Sequence, residues 1–119
     1  MAKNAVTLYH NPRCDTSRKV LGILREKGIE PRIVEYLKTP PSRAELKRLI
    51  KNMGVRPRDV LRWKEVLAKE LKLDKDESSD DELLDAMTAH PILINRPIVV
   101  MDKAVKLCRP SETVRELLT

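Results

Sequence analysis

One cysteine in the chain stands among residues that could make it a nucleophile. Cys14 lies in the stretch His10-Asn11-Pro12-Arg13-Cys14-Asp15-Thr16-Ser17-Arg18, after a short apolar run and before an amphipathic one. A helix beginning there presents unpaired N–H groups and the positive end of its dipole to the sulfur, and Arg13 and Arg18 act in the same direction. Such surroundings bring a thiol from about 8.5 into the range of roughly 3.5–7.5. The same helix N-terminus is a ready anion site, so one loop offers both a nucleophile and a cradle for an oxyanion. An inert, buried cysteine is the competing reading, and the polar and charged neighbours count against it. Two familiar motifs are absent. Ser17 stands where a Cys-x-x-Cys pair would need its second thiol, and Val20 stands where the Cys-x5-Arg phosphatase spacing would need arginine. A redox cycle at Cys14 therefore needs a thiol from outside the chain.

The elements that must position this loop follow from the apolar pattern. Ala5-Val6-Thr7-Leu8-Tyr9 reads as a buried strand ending at the turn formers Asn11-Pro12. A helix follows, capped by Asp15 or Thr16, with Val20, Leu21, Ile23 and Leu24 as its stripe and Gly28 as its stop. Arg32–Leu37 reads as a second strand, which completes a right-handed βαβ unit with parallel strands. Ser42 and Glu45 form a capping box for a helix carrying Leu46, Leu49, Ile50 and Met53 to Gly54, and Ser79 with Glu82 opens another that ends at His90-Pro91. Residues 55–77, rich in charge, read as short helical pieces. Residues 97–101 and 104–107 are apolar runs joined through Asp102-Lys103 as a hairpin, and a terminal helix starts at Ser111 with Val114, Leu117 and Leu118 on one face. The order βαβ, helical insertion, ββα is an α/β arrangement of the thioredoxin-like kind, with a four-stranded mixed sheet between helices. The expected organisation is one domain over 1–119, its core at about 4–38 and 91–119 and its helical insert at about 42–90.

Composition sets the limits on this reading. The chain has 119 residues, enough for one core, and no repeat or low-complexity tract. No apolar run approaches the roughly 20 residues of a membrane span, and no signal peptide is evident, so a soluble cytoplasmic protein is expected, monomeric by default. Two cysteines, Cys14 and Cys108, are too few for a disulfide scaffold. The net charge of +6 favours an anionic partner: nucleic acid, a membrane surface or a small oxyanion. Aromatic content of 3% leaves no stacking platform for nucleic acid, and the helix bearing Arg43, Lys47, Arg48 and Lys51 reads as a solvated face. His10, His90, Cys14 and Cys108 lack the spacing of a metal site, and His90 reads as a helix-end residue.

Four segments together carry a resemblance. The stretch from His10 to Arg18, Tyr36-Leu37-Lys38-Thr39-Pro40-Pro41, the run from His90 to Val100, and Leu107-Cys108-Arg109-Pro110-Ser111-Glu112 closely resemble, in order, the glutaredoxin-linked arsenate reductase (ArsC) family. The resemblance implies an enzyme with no bound cofactor. In that family a thiolate attacks arsenate to form a thioarsenate, glutathione displaces the arsenic as an arsenite-level product, and glutaredoxin resolves the mixed disulfide. Carried over by position, Cys14 is the nucleophile, and Arg62, Arg96 and Arg109 hold the oxyanion. His10 influences activity, and Ser17 hydrogen-bonds the thiolate and helps to lower its pKa. Guanidinium groups suit the task, because arsenate and thiolate are like charges that must be compensated as they meet. The resemblance also implies a cis Arg96–Pro97 bond at the start of the third strand. Cys108 reads as a non-essential strand residue. Members of the family often carry a small residue such as Gly after the cysteine, where this chain has Asp15, and some carry a C-terminal extension that this chain lacks. Two alternatives stay open: a relative acting on another thiol or oxyanion substrate, and an Spx-like regulator that binds RNA polymerase. Ser17 removes the Cys-x-x-Cys switch usual in that last branch.

Overall fold

The structure, a computed structural model, describes residues 5–102 and 104–118. It divides into two compact units: the described residues up to Thr39 and from Arg96 onward, and Pro40–Asn95.

The first unit holds β1 (Thr7–His10), α1 (Asp15–Glu26), β2 (Arg32–Glu35), β3 (Ile98–Met101), β4 (Ala104–Leu107) and a terminal 3-10 helix over Ser111–Leu118. The sheet order is β2-β1-β3-β4. β1 runs parallel to β2 and antiparallel to β3, so Tyr9 sits opposite both Val34 and Ile98, and β4 closes the hairpin with β3. Paired on both edges, β1 is central and its Leu8 is fully buried. Val20, Ile23 and Leu24 recur at helical spacing along α1 and pack with Val6, Leu8, Val99 and Val114 into the unit's apolar core. Gly28, at a positive φ of 77°, closes α1. Its N–H donates to Arg25 O and that of Ile29 to Leu24 O, at 3.0 and 2.9 Å.

Three expectations for this unit change in detail. β2 ends at Glu35, not Leu37, because Lys38 N–H and Thr39 N–H both turn back to Glu35 O, at 2.8 and 3.0 Å. The terminal helix has 3-10 geometry, entered by Thr113 N–H donating to Pro110 O at 3.0 Å. The cap of α1 is Cys14 itself, in extended conformation, while Asp15 is the first helical residue. In the β3–β4 turn, Lys103 lies outside the described residues.

The second unit is helical: α2 (Arg43–Met53), α3 (Pro57–Val60), α4 (Val66–Glu70), α5 (Asp80–Ala89) and a 3-10 turn over Pro91–Leu93, with a single bridge between Leu61 and Ile94. Ser42 Oγ accepts from Glu45 N–H, and α2 ends at Gly54 in the left-handed region. At α5, Ser79 and Glu82 make the full reciprocal capping box. Leu46, Val60, Leu83, Met87 and Leu93 are fully buried. Arg43 departs from the solvated face expected of α2. Its guanidinium reaches α5, with Nε 2.6 Å from Asp85 Oδ1 and Nη2 3.1 Å from Asp81 Oδ1. His90 ends α5, its N–H donating to Ala86 O at 2.8 Å.

Candidate functional site

The loop between β1 and α1 is held by a small set of bonds that follow from its residue types. Asn11 is buried, and its three polar groups do separate work. Its carbonyl accepts from Cys14 N–H at 3.0 Å, its side-chain Oδ1 accepts from Arg13 N–H at 3.0 Å, and its own N–H donates to Ser17 Oγ at 3.2 Å. Such asparagine turns are what an Asn-Pro sequence favours. Ser17 is fully buried on the inner face of α1, and its Oγ lies 2.6 Å from His10 Nδ1 at the end of β1. Burial is the main cause that lowers the His10 pKa; Arg18 and Arg25 add to it, and Glu35 opposes it. The lowered pKa favours a neutral imidazole in this contact, while Ser17 Oγ also accepts from Asn11 N–H.

Cys14 Sγ sits at the mouth of α1, part-buried. Burial pushes its pKa up. The N–H of Ser17, the Arg109 guanidinium, the N–H of Thr16 and the Arg96 guanidinium more than offset this, and the thiol ends below its ordinary value. Arg109 Nη1 approaches Sγ to 3.6 Å and also donates to Arg96 O at 2.9 Å, which ties the two arginine-bearing segments together beside the sulfur. Arg96 is only 7% exposed, so its charge is committed to this neighbourhood rather than to solvent. The Arg96–Pro97 bond is cis, as the resemblance implies, and so is Arg109–Pro110, which the sequence did not announce.

Of the residues singled out from sequence, the structure gathers His10, Cys14, Ser17, Arg96 and Arg109. At Ser17 the group that lowers the Cys14 pKa is the backbone N–H, while the hydroxyl is occupied by His10 and Asn11. Arg62 belongs to the helical unit. There its Nη1 donates to Asn95 Oδ1 at 3.3 Å, its Nε lies 3.3 Å from Glu65 Oε2, and its N–H donates to Leu93 O at 2.7 Å. Cys108 follows β4 rather than lying in it, with its N–H donating to Pro97 O at 2.9 Å. It is fully buried in the core, and burial pushes its thiol up to about 12. Both cysteines are free thiols. Sequence reasoning missed the organising part of Asn11, which reads there only as a turn former. It also missed the pairing of Asp15 with Arg18. Among the described residues, no group of three or more His, Cys, Asp or Glu side chains could hold a metal ion.

The geometry is that of a cysteine at the N-cap of a helix, its pKa lowered, attended by two guanidinium groups, and the likeness to known proteins agrees with it. Residues 9–117 match the ArsC family. The chain belongs to the ArsC family. It is 55% identical over 113 residues to an arsenate reductase of Rhizobium meliloti (strain 1021), covering 95% of this chain and 81% of that protein. With an arsenate reductase of Escherichia coli the identity is 53% over 113 residues, covering 95% and 80%. A solved arsenate reductase from Vibrio cholerae superposes with a TM-score of 0.90 at 47% identity, covering 94% of this chain and 96% of that one. The mixed sheet and helices are thus the family's thioredoxin-like fold.

Proposed function

We infer that this ArsC-family chain is an arsenate reductase, with Cys14 as its nucleophile and glutathione and glutaredoxin as the source of electrons. The observation that carries the reading is the Arg109 guanidinium 3.6 Å from a Cys14 sulfur at the N-terminus of α1. A thiolate and an arsenate anion repel each other, and that encounter proceeds only where fixed positive charge is present for both. Cys14 Sγ forms a bond to arsenic as one arsenate oxygen, protonated, leaves as water. A glutathione thiol then attacks Cys14 Sγ, and the S–As bond breaks with its electron pair left on arsenic, which passes from the +5 to the +3 state and leaves as arsenite. A glutaredoxin thiol resolves the Cys14–glutathione disulfide, returning the Cys14 thiol and leaving glutathione and glutaredoxin joined as the disulfide. In net terms one arsenate and two thiols become one arsenite, one disulfide and one water.

Arg96 and Arg109 hold the oxyanion in this reading. Arg62 is assigned to it on the family resemblance alone. His10 and Ser17 are positioning residues that fix the loop and the start of α1, as their 2.6 Å contact supports. No cofactor is bound in this scheme, and glutathione is a co-substrate. The whole chain works as one ArsC-like domain with a helical insert, as a cytoplasmic monomer. Among the described residues no helix is long and apolar enough to cross a membrane. The test is NADPH consumption in the presence of purified protein, arsenate, glutathione, glutaredoxin and glutathione reductase. Turnover should depend on arsenate and disappear in Cys14→Ser; a rate no greater than that variant's removes the assignment.

A further inference from the structure

Asp15 puts a carboxylate directly after the nucleophile, where a thiolate and an incoming oxyanion carry the same sign. Arg18 answers it one turn along the helix. Its Nη2 donates to Asp15 Oδ1, its Nη1 donates to Pro12 O at 2.7 Å, and its backbone N–H donates to Cys14 O at 3.0 Å. One residue therefore grips the chain before, at and after the nucleophile.

We propose that Arg18 is a positioning residue that sets the affinity for the oxyanion by masking Asp15, holding that carboxylate in an ion pair away from the thiolate and its substrate. The proposal rests on the reading of Cys14 as the nucleophile of an arsenate reductase. Nη1 and Nη2 of Arg18 each already serve an acceptor of the loop, Pro12 O and Asp15 Oδ1, and in the proposal its effect on the anion is routed through Asp15. The charged groups facing Cys14 are Arg96 and Arg109, with His10 one step removed through Ser17. None of these meets Asp15 among the contacts of the loop, which leaves Arg18 as its partner there. The side chains of Arg18 and Asp15 are 51% and 80% exposed, so water and salt weaken their fields and the effect is several-fold, not thousandfold.

The test compares wild type, Arg18→Ala, Asp15→Asn and the double variant in two assays. The first is steady-state arsenate reduction at low and high salt. The second is the rate at pH 6 of Cys14 alkylation by iodoacetamide, located by peptide mass. Arg18→Ala should raise the arsenate KM about three- to tenfold with kcat within about twofold, an effect that shrinks in high salt. It should also slow alkylation about threefold, because an unmasked carboxylate disfavours the thiolate. Adding Asp15→Asn should return both readouts to within about twofold of wild type. A double variant as impaired as Arg18→Ala overturns the proposal, since Arg18 would then act through Pro12 O or on the oxyanion itself; so does an Arg18→Ala protein unchanged in both assays. If wild type fails to reduce arsenate, the functional reading falls, and the alkylation comparison alone still decides whether Arg18 masks Asp15. Should Arg18→Ala not fold by circular dichroism, Arg18→Gln replaces it, because its amide can still reach Pro12 O without carrying charge.

Discussion

Replacing Arg109 by Ala removes two bonds at once, and their separate effects can be read in different assays. Nη1 is 3.6 Å from Cys14 Sγ and 2.9 Å from Arg96 O. A hydrogen bond to a charged partner contributes about 1.5–3 kcal/mol, so loss of the sulfur contact alone lowers reactivity by about ten- to a hundredfold. Removing a donor that also meets charge developing on the oxyanion costs about 10²–10³ in rate in comparable sites. The expected fall in kcat/KM for arsenate is therefore about 10²–10³. Iodoacetamide alkylation of Cys14 at pH 6, which involves no oxyanion, should slow only by the sulfur contact's share, about ten- to a hundredfold. The gap between the two numbers measures what Arg109 does for substrate beyond what it does for the thiol. Arg109→Lys keeps the charge but not the planar fork, and should recover only a minor part of the loss. Loss of the bond to Arg96 O leaves a carbonyl short of a partner, so the melting temperature is recorded alongside. A folded Arg109→Ala protein that loses less than about fivefold in kcat/KM refutes the placing of this arginine at the reacting centre.

Two further outcomes follow from burial. Cys108→Ala should leave kcat/KM within about twofold while lowering stability by about 1 kcal/mol, a few degrees in melting temperature, because a buried sulfur in the core is removed. The same variant has a pH signature. Burial raises the folded thiol to about 12, so the folded state holds that proton more tightly than the unfolded chain does. Stability from this group is complete below the unfolded thiol range and is lost as pH climbs toward about 12. The melting-temperature gap between wild type and Cys108→Ala should accordingly narrow between about pH 9 and 11. A gap that widens over that range contradicts the assignment. Ser17→Ala should cost about 1–3 kcal/mol of stability, since the Asn11 N–H and His10 Nδ1 both lose their partner. Its activity should fall less than that of Arg109→Ala, because the Ser17 N–H that supports the thiolate is retained; a larger fall would show that the hydroxyl, not the backbone, serves the sulfur.

Much of the frame was legible because local chemistry and tertiary packing agree. Ser79 with Glu82 announces α5, and the spacing of Val20, Ile23 and Leu24 announces the buried face of α1. The hairpin of β3 and β4 is written in two apolar runs with a turn between them. Edges were less legible. β2 stops at Glu35 because of a backbone turn that Tyr36-Leu37, apolar themselves, do not signal. At α1 an acidic or hydroxyl cap is the ordinary preference, yet Cys14 occupies the position, which is what puts its sulfur in front of the N–H groups of Thr16 and Ser17. The site was legible in composition but not in wiring. That Arg109 reaches Cys14 depends on a contact 95 residues apart along the chain, which no local pattern encodes. Asn11, Asp15 and Arg18 each look like loop or surface residues until their partners are seen.

The central claim is that Cys14 itself bonds to arsenic. The most direct measurement is mass spectrometry of the protein after brief exposure to arsenate and rapid acid quenching, with and without glutathione, followed by peptide mapping. The account predicts arsenic, or a glutathione adduct derived from its displacement, on the peptide containing Cys14 and none on that containing Cys108. Arsenate-dependent turnover with the label confined to Cys108, or persisting in Cys14→Ser, would contradict it.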